Sequence, residues 1–254
     1  MIGRVLSILL LVILSGLIFY IGITYNNNNI IINTITINGN YHLTKEDYMN
    51  FANLIDKTGY KYLSLQIIKD RIEKHPYVDK ADVRYEGSGK VTIKIYEKTF
   101  EAILLDNQKQ YLVTDKLEIL PFLSGTKNVD YPIISNIYKK DSIKVMTFYK
   151  QNYDLLTASK ILSGIKFISE ELYGELSLID MNYGNDVMIY VSLYDYPVII
   201  GRGNEIKKIV YLYNLWNYLK GKEINNFMNY VDLRYNGHIY LGIQDSLFVG
   251  EQKL

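Results

Sequence analysis

The sequence predicts an α+β fold in three parts: an apolar N-terminal helix, a small β-α-α-β-β unit, and a larger mixed β-sheet domain with two helices. Three observations predict it. Residues 5–25 carry no charge. Between residues 65 and 95 the apolar period switches from that of a helix to that of a strand. Beyond residue 99, short alternating runs surround two further stretches of helical period.

The apolar segment comes first. At about 1.5 Å per residue, 21 residues span roughly 30 Å, the thickness of a bilayer core. Arg4 is the only charged side chain before it and none follows until Lys45, so the positive-inside rule puts residues 1–4 in the cytoplasm and all that follows the anchor outside. A cleaved signal peptide is the competing reading, but no small-x-small pattern stands near Ser15-Gly16 or Ile23-Thr24. Asn26 to Asn29 form most of a short polar linker over residues 26–30.

Composition narrows the function classes. The 254 residues are 48% hydrophobic and 22% charged, enough for two modest domains. A net charge of +1 with no Lys/Arg block leaves nothing to drive nucleic-acid binding through counterion release. The chain has no cysteine, which excludes disulfides and thiolate chemistry.

The unit over residues 31–98 is read element by element. Ile31, Asn33, Ile35 and Ile37 begin a strand that ends at the turn Asn38-Gly39-Asn40. Thr44 and Asp47 have capping-box spacing and open a helix with Tyr48, Phe51, Leu54 and Ile55 on one face, closing near Gly59. Ser64 caps a second helix, with Leu65, Ile68 and Ile72 inward, which Pro76 terminates. Ala81, Val83 and Tyr85 then alternate with polar residues, Gly87-Ser88-Gly89 turns the chain, and Val91, Ile93 and Ile95 line the returning strand.

The region 99–254 is read in the same way. A helix over about Leu155 to Leu172 presents Ala158, Ile161, Leu162, Ile165 and Ile168. Leu176 to Met181 and Val187 to Leu193 are strands, and Pro197 to Gly201 precedes a last helix from about Glu205 to Lys220. That helix is expected to bury Ile206, Ile209, Val210, Tyr213 and Trp216 and to stop at Gly221. Tyr230 to Tyr235 is a strand, Asn236-Gly237 a hairpin signal, and Ile239 to Ile243 a short apolar strand near the end of the chain.

These residues resemble a known family. Ile37-x-Gly39-Asn40 before a helix, Leu63-Ser64-Leu65 before a second, Pro76-Tyr77-Val78 followed by Ala81-x-Val83, and Val91-x-Ile93-x-Ile95-x-Glu97 are similar to the POTRA domain of the bacterial cell-division proteins FtsQ and DivIB. Gln110 to Pro121, Tyr131-Pro132 and Tyr230 to Tyr235 resemble the family's second domain, and the anchor, POTRA, β-domain layout matches as well. The sequence departs at Gly87-Ser88-Gly89 and at Thr99-Phe100, where the family usually carries prolines.

The resemblance implies a non-enzymatic divisome scaffold, single-pass in the cytoplasmic (inner) membrane at the division septum, linking early and late division proteins. It implies FtsB/FtsL-like coiled-coil partners bound through the C-terminal strands, and FtsW/FtsI-type septal wall synthases as further partners. By position, the partner-binding residues are Arg234, Tyr235, Ile239, Tyr240, Leu241 and Ile243. The chemistry agrees, because a terminal strand is well placed to be an edge that accepts a partner strand. Against this stands the reading of an ordinary covered hairpin. Asp232 and Arg234, on one face of their strand, are expected to pair with charges on adjacent strands. Lys69, Glu73 and Lys74 on the second helix form a possible POTRA docking face, which a plain solvated helix would equally explain.

A POTRA protein of envelope transport or assembly is the alternative; no series of barrel strands follows the POTRA unit. A tethered enzyme finds little support. His42, His75 and His238 lie in separate turns without metal-ligand spacing and read as exposed loop residues. Gly201-Arg202-Gly203 lacks the third glycine of a phosphate-binding turn. Glu73, Glu170 and Glu171 read as solvated. No catalytic residue, metal ligand, cofactor or small-molecule substrate is expected.

Overall fold

The computed structural model describes residues 10–17 and 31–244. Residues 10–17 are helical and expose Leu10, Leu11, Val12, Ile13, Leu14 and Leu17. The rest of the expected anchor, residues 1–4 and the linker lie outside the described residues, and no helix among the described residues is long and apolar enough to cross a membrane.

The first unit runs β1 (Thr34–Asn38), α1 (Lys45–Phe51), a 3-10 turn (Lys57–Tyr62), α2 (Leu65–Glu73), β2 (Val78–Gly87) and β3 (Lys90–Glu97). Its sheet has the order β1-β3-β2, with β1 parallel and β2 antiparallel to β3. The capping box forms as the spacing predicts: Asp47 N–H donates to Thr44 Oγ1 at 3.2 Å, and Thr44 N–H donates to Asp47 Oδ2 at 3.0 Å. α1 then ends earlier than its apolar face suggests. Asn53 adopts φ +53 and turns the chain, so Leu54 is buried while Phe51 and Ile55 remain exposed, and Gly59 falls in the 3-10 turn. α2 follows its sequence pattern, with Ser64 Oγ accepting from Ile67 N–H at 3.2 Å and Ile68 and Ile72 fully buried. The strands depart from strict alternation at their ends: Ile32 rather than Ile31 is buried, and Tyr85 is exposed.

The second region runs β4 (Phe100–Asp106), β5 (Lys109–Thr114), β6 (Glu118–Pro121), β7 (Ile133–Ser135), β8 (Thr147–Phe148), α3 (Tyr153–Ile168), α4 (Glu170–Glu175), β9 (Leu176–Asp180), β10 (Met188–Val191), β11 (Val198–Ile199), α5 (Glu205–Leu219), β12 (Met228–Asp232) and β13 (Tyr240–Ile243). These strands form one mixed sheet in the order β13-β12-β11-β10-β9-β7-β4-β5-β6-β8. Three α-helices rather than two accompany it. The stretch expected as one helix breaks at Ser169, an extended residue (φ −158) whose Oγ accepts from Leu172 N–H at 3.1 Å and so starts α4.

α5 is rotated relative to expectation. It buries Lys208, Ile209, Leu212, Trp216 and Leu219, and leaves Ile206 and Val210 exposed and Tyr213 half-buried. The physical reason is that its apolar stripe is wider than the surface offered by α3 and the sheet. Lys208 is held inside by donating from Nζ to the Ile200 carbonyl at 2.8 Å.

The two regions share a core. Along β5 and β6, Val113 and Ile119 face the helices, whereas Leu112 and Leu120 join Phe100 in the cluster built on Ile68, Ile72, Tyr77 and Ile95 of the first unit. Strands buried on both faces lose polar alternation, as Leu112-Val113-Thr114 and Glu118-Ile119-Leu120 do. Polar clasps cross the same seam. Tyr77 Oη donates to the Pro121 carbonyl at 3.0 Å and accepts from Leu123 N–H at 2.9 Å; Lys98 Nζ meets Glu118 Oε2 at 2.8 Å.

Two of the three histidines lie in this interior, not on exposed loops. His42 and His75 are buried because their turns pack beneath aromatic rings, His42 against Phe100 and His75 against Tyr48 and Phe51. His42 Nδ1 is 2.5 Å from Glu97 Oε2 and its Nε2 is 3.1 Å from Tyr131 Oη. The Glu97 carboxylate also accepts from Tyr41 N–H (2.8 Å), His42 N–H (3.1 Å) and Tyr48 Oη (2.6 Å). Burial alone would raise its pKa; the hydrogen bonds outweigh it and hold the carboxyl below its ordinary value. Burial pushes the His75 imidazole down to about 4, while nearby Glu97 and Asp47 oppose the shift.

These placements have measurable consequences for stability. Unfolded His75 binds a proton near pH 6.5 and the folded residue only near pH 4, so the unfolded state carries more protons in between and stability falls as pH falls through that window. Wild-type urea stability should drop by roughly 3 kcal/mol from pH 7 to pH 4 through this group alone, and His75→Gln should flatten that part of the profile. Gly39 has φ +85, and a Cβ there would lie 2.3 Å from the Ile95 carbonyl oxygen. Gly39→Ala should cost about 2–4 kcal/mol in the same measurement. Gly203→Ala, with φ +79 but open space around it, should cost about 1 kcal/mol.

Candidate partner-binding edge

β13 forms one end of the ten-stranded sheet, paired antiparallel to β12 with Asp232 opposite Tyr240, Val231 opposite Leu241 and Tyr230 opposite Gly242. Val231 and Leu233 donate their N–H groups to Pro197 and Ile199 on the β11 side, at 3.0 and 2.9 Å. The N–H groups of Tyr230 and Asp232 therefore face β13. Gln244 N–H donates back to the Phe227 carbonyl at 2.8 Å, which fixes the alternation on β13: Tyr240 and Gly242 bond inward, and Leu241 and Ile243 turn their N–H and C=O groups away from β12. Among the described residues no strand covers that side.

The side chains along the edge are large and accessible. Ile239, Tyr240 and Leu241 are exposed and Ile243 is half-buried. Gly242 has a steric role, since a Cβ there would stand 2.3 Å from Cε1 of Tyr230, whose ring lies across the glycine. Tyr235 and Tyr240 meet edge to face with ring centroids 5.0 Å apart.

The strand before the turn is shorter than expected. β12 ends at Asp232, and Leu233 to Ile239 form a broad loop rather than a two-residue Asn-Gly hairpin. Arg234 explains this. Instead of pairing across strands in a ladder, its guanidinium folds back to grip Asp232 with Nε–Oδ1 at 3.0 Å and Nη2–Oδ2 at 2.6 Å, and reaches Asp186 Oδ2 at 2.7 Å. Asp232 N-side geometry is closed as well, because its Oδ1 accepts from Arg234 N–H at 3.0 Å. The Arg234 hydrogen bonds, against burial, hold the Asp232 carboxyl below the usual carboxylate range, and the same contacts raise the Arg234 pKa. Arg234 thus belongs to the frame that fixes the loop, and Gly201 packs under it, leaving only 2.8 Å between a would-be Cβ and Arg234 Cγ.

All six residues singled out from the sequence fall in this one region: Arg234 and Tyr235 in the loop, Ile239 at the approach, and Tyr240, Leu241 and Ile243 on β13. Tyr230, Asp186 and Gly242 were not among them. A glycine inside a short apolar strand is a readable sign of close approach; the Asp186 contact spans 48 residues and leaves no local signal.

The three residues expected as a docking face on α2 form a less uniform surface. Lys74 is exposed and Lys69 is half-buried at 3.9 Å from Glu73. Glu73 is not solvated as expected: its Oε1 accepts from Ala81 N–H at 2.9 Å, a donor that β2, at the edge of its sheet, turns away from β3. At the Gly201-Arg202-Gly203 turn, Arg202 is likewise structural, bonding the Asn185 carbonyl at 2.6 Å and Asp154 Oδ1 at 2.8 Å. Among the described residues no group of three potential ligands gathers around a metal position.

Comparison with known proteins completes the description. The family model for the POTRA domain, FtsQ-type, matches residues 31–98. The chain is 23% identical over 197 residues to the cell division protein FtsQ of Geotalea daltonii, covering 78% of this chain and 70% of that protein. It is 20% identical over 174 residues to the cell division protein DivIB of Clostridium tetani, covering 68% and 64% respectively. The cell division protein FtsQ of Syntrophotalea carbinolica is 23% identical over 199 residues, 78% of this chain and 68% of the relative. Residues 31–98 thus form a POTRA unit of the FtsQ type, and the chain as a whole is similar to the cell-division proteins FtsQ and DivIB.

Proposed function

We propose that the protein is a non-enzymatic scaffold of the division machinery, held in the cytoplasmic membrane by residues 5–25 with its two domains on the extracytoplasmic side at the septum. It links early and late division proteins. FtsB/FtsL-like coiled-coil proteins add a strand to β13, and FtsW/FtsI-type septal wall synthases join the same assembly. The observation that carries this reading is the free edge of β13, where Leu241 and Ile243 present backbone donors and acceptors and Ile239, Tyr240 and Leu241 present side chains. Main-chain bonds to such an edge supply affinity and the alternating side chains supply selectivity. The charge-free stretch of residues 5–25 supports the anchor, and Lys69 and Lys74 remain candidates for a second contact on the POTRA unit.

Binding of the organism's own FtsB/FtsL pair to the full chain in nanodiscs tests the reading. Leu241→Pro removes an N–H that points away from β12, so the β12–β13 ladder keeps its bonds while strand addition loses one. Leu241→Pro and Tyr240→Ala should each weaken capture by about tenfold or more, with circular dichroism melts unchanged. Wild-type protein that captures nothing would remove the scaffold reading; folded variants that bind as wild type would move the site off this edge.

A further inference from the structure

The small sheet has an open side of its own. β2, ten residues long, ends the order β1-β3-β2, and among the described residues no strand pairs with its outer side. Ala81 fixes which backbone groups face outward, because its N–H leaves the ladder to reach Glu73 Oε1 at 2.9 Å. Lys80 to Tyr85 keep regular register with β3, so by alternation Val83 and Tyr85 also turn their N–H and C=O groups outward. Glu73 occupies one donor. The N–H groups of Val83 and Tyr85 and the C=O groups of Ala81 and Val83 stay open among the described residues.

The residues between these groups carry charges of alternating sign: Lys80, Asp82, Arg84 and Glu86. Period two puts them on one face of the strand. There Lys80 Nζ stands 3.4 Å from Asp82 Oδ1, Tyr96 Oη donates to Asp82 Oδ2 at 3.3 Å, and Lys90 Nζ meets Glu86 Oε2 at 2.8 Å. Arg84 is exposed and in no ion pair among the described residues. The order of signs inverts about Val83. When two β2 strands pair antiparallel with both Val83 residues on a two-fold axis, Asp82 meets Arg84 of the second copy and Lys80 meets its Glu86, each twice. Outward-facing residues then oppose outward-facing residues, as a ladder requires. Val83 N–H donates to the Val83 carbonyl and Tyr85 N–H to the Ala81 carbonyl, each twice, without disturbing Glu73.

Neighbouring registers are worse. An axis at Asp82 sets Asp82 against Asp82 and Lys80 against Arg84; an axis at Arg84 sets Arg84 against Arg84 and Asp82 against Glu86. Axes at Ala81 or Tyr85 keep one kind of opposite pair, and the Val83 axis keeps two. Charges ordinarily blunt an edge by repelling an arriving strand, whereas these repel in the shifted registers and attract in the centred one. We propose that β2 is a self-association edge, separate from β13, which pairs antiparallel with β2 of a second copy of this chain about a two-fold axis at Val83. The pair is closed, since both copies spend the same edge. An edge contact is smaller than the roughly 800 Å² per partner of a standard interface, so the association is weak and concentration-dependent.

The chain has no cysteine, so Ser88→Cys, in the turn beyond the paired stretch, supplies one labelling site on the full chain. About the Val83 axis the two labels lie roughly 33 Å apart along the strands, within range of energy transfer. Donor- and acceptor-labelled chains mixed in detergent should show transfer that saturates with concentration. Arg84→Glu sets a carboxylate against Asp82 of the second copy, and Asp82→Arg sets a guanidinium against its Arg84. Each variant with itself should pair about tenfold more weakly or worse, with its thermal melt unchanged. Donor-labelled Arg84→Glu mixed with acceptor-labelled Asp82→Arg should recover transfer, because both cross pairs are again opposite in sign; recovery also shows that both variants are folded. Absence of saturable transfer between chains with native charges, indifference to both charge reversals, or a mixture no better than either variant alone overturns the proposal. Transfer abolished by Tyr240→Ala overturns it in favour of self-association through β13.

Discussion

The buried carboxylate of Glu97 is the constraint on which the arrangement of the first unit, and its connection to the second, depends. It ends β3 where the chain is about to cross into β4, and it gathers the Tyr41 and His42 amides, the His42 ring and the Tyr48 hydroxyl. A carboxylate this deep is tolerable only when its lone pairs are taken, and one taken so fully fixes everything that donates to it. Through Tyr48 it holds α1 on the sheet; through Tyr41 and His42 it holds the loop after β1. His42 then passes the contact on to Tyr131, so one charged group sets positions in both regions.

That connection is reinforced by packing. Phe100, Leu112 and Leu120 complete the hydrophobic cluster of the first unit, and the segment after β6 wraps back over it through Tyr77, Thr126 and the Lys127 amide, which donates to the His42 carbonyl at 2.8 Å. Domains joined only by a linker move independently by default, whereas a shared apolar core with cross-seam hydrogen bonds holds one orientation. The POTRA unit and the β13 edge are therefore presented at a fixed separation, which suits the proposed scaffold role.

The sequence made much of this legible, for local reasons. The capping box at Thr44, the Ser64 cap, the Ile68/Ile72 stripe and the Val91/Ile93/Ile95 alternation all act within a few residues, and each stands where its spacing indicates. What the sequence hides is set by distant partners. The burial of His42 and His75 depends on Phe100 and Tyr48, the role of Glu73 on β2 lying at the edge of its sheet, and the break at Ser169 on a serine that reads equally well as helix interior or as cap. The rotation of α5 is the same lesson: Ile206 and Val210 are periodic and apolar, yet the stripe is wider than the surface that α3 and the sheet offer it, and these two stay outside. At the candidate edge, residue types and turn signals marked the right stretch, while its true loop length came from the Arg234 clamp to Asp232 and Asp186.

The two ends of the large sheet differ in kind. β13 offers four residues, of which Tyr240 and Leu241 have large exposed side chains, whereas β8, at the opposite end, contributes two, Thr147 and Phe148. An edge that short cannot template a ladder. Among the described residues the large sheet is thus extensible from one side only, which gives the proposed strand addition a built-in valency of one. A large sheet with two open edges could seed a growing chain of copies; with one, the assembly proposed at β13 takes its size from the partner's own oligomeric state.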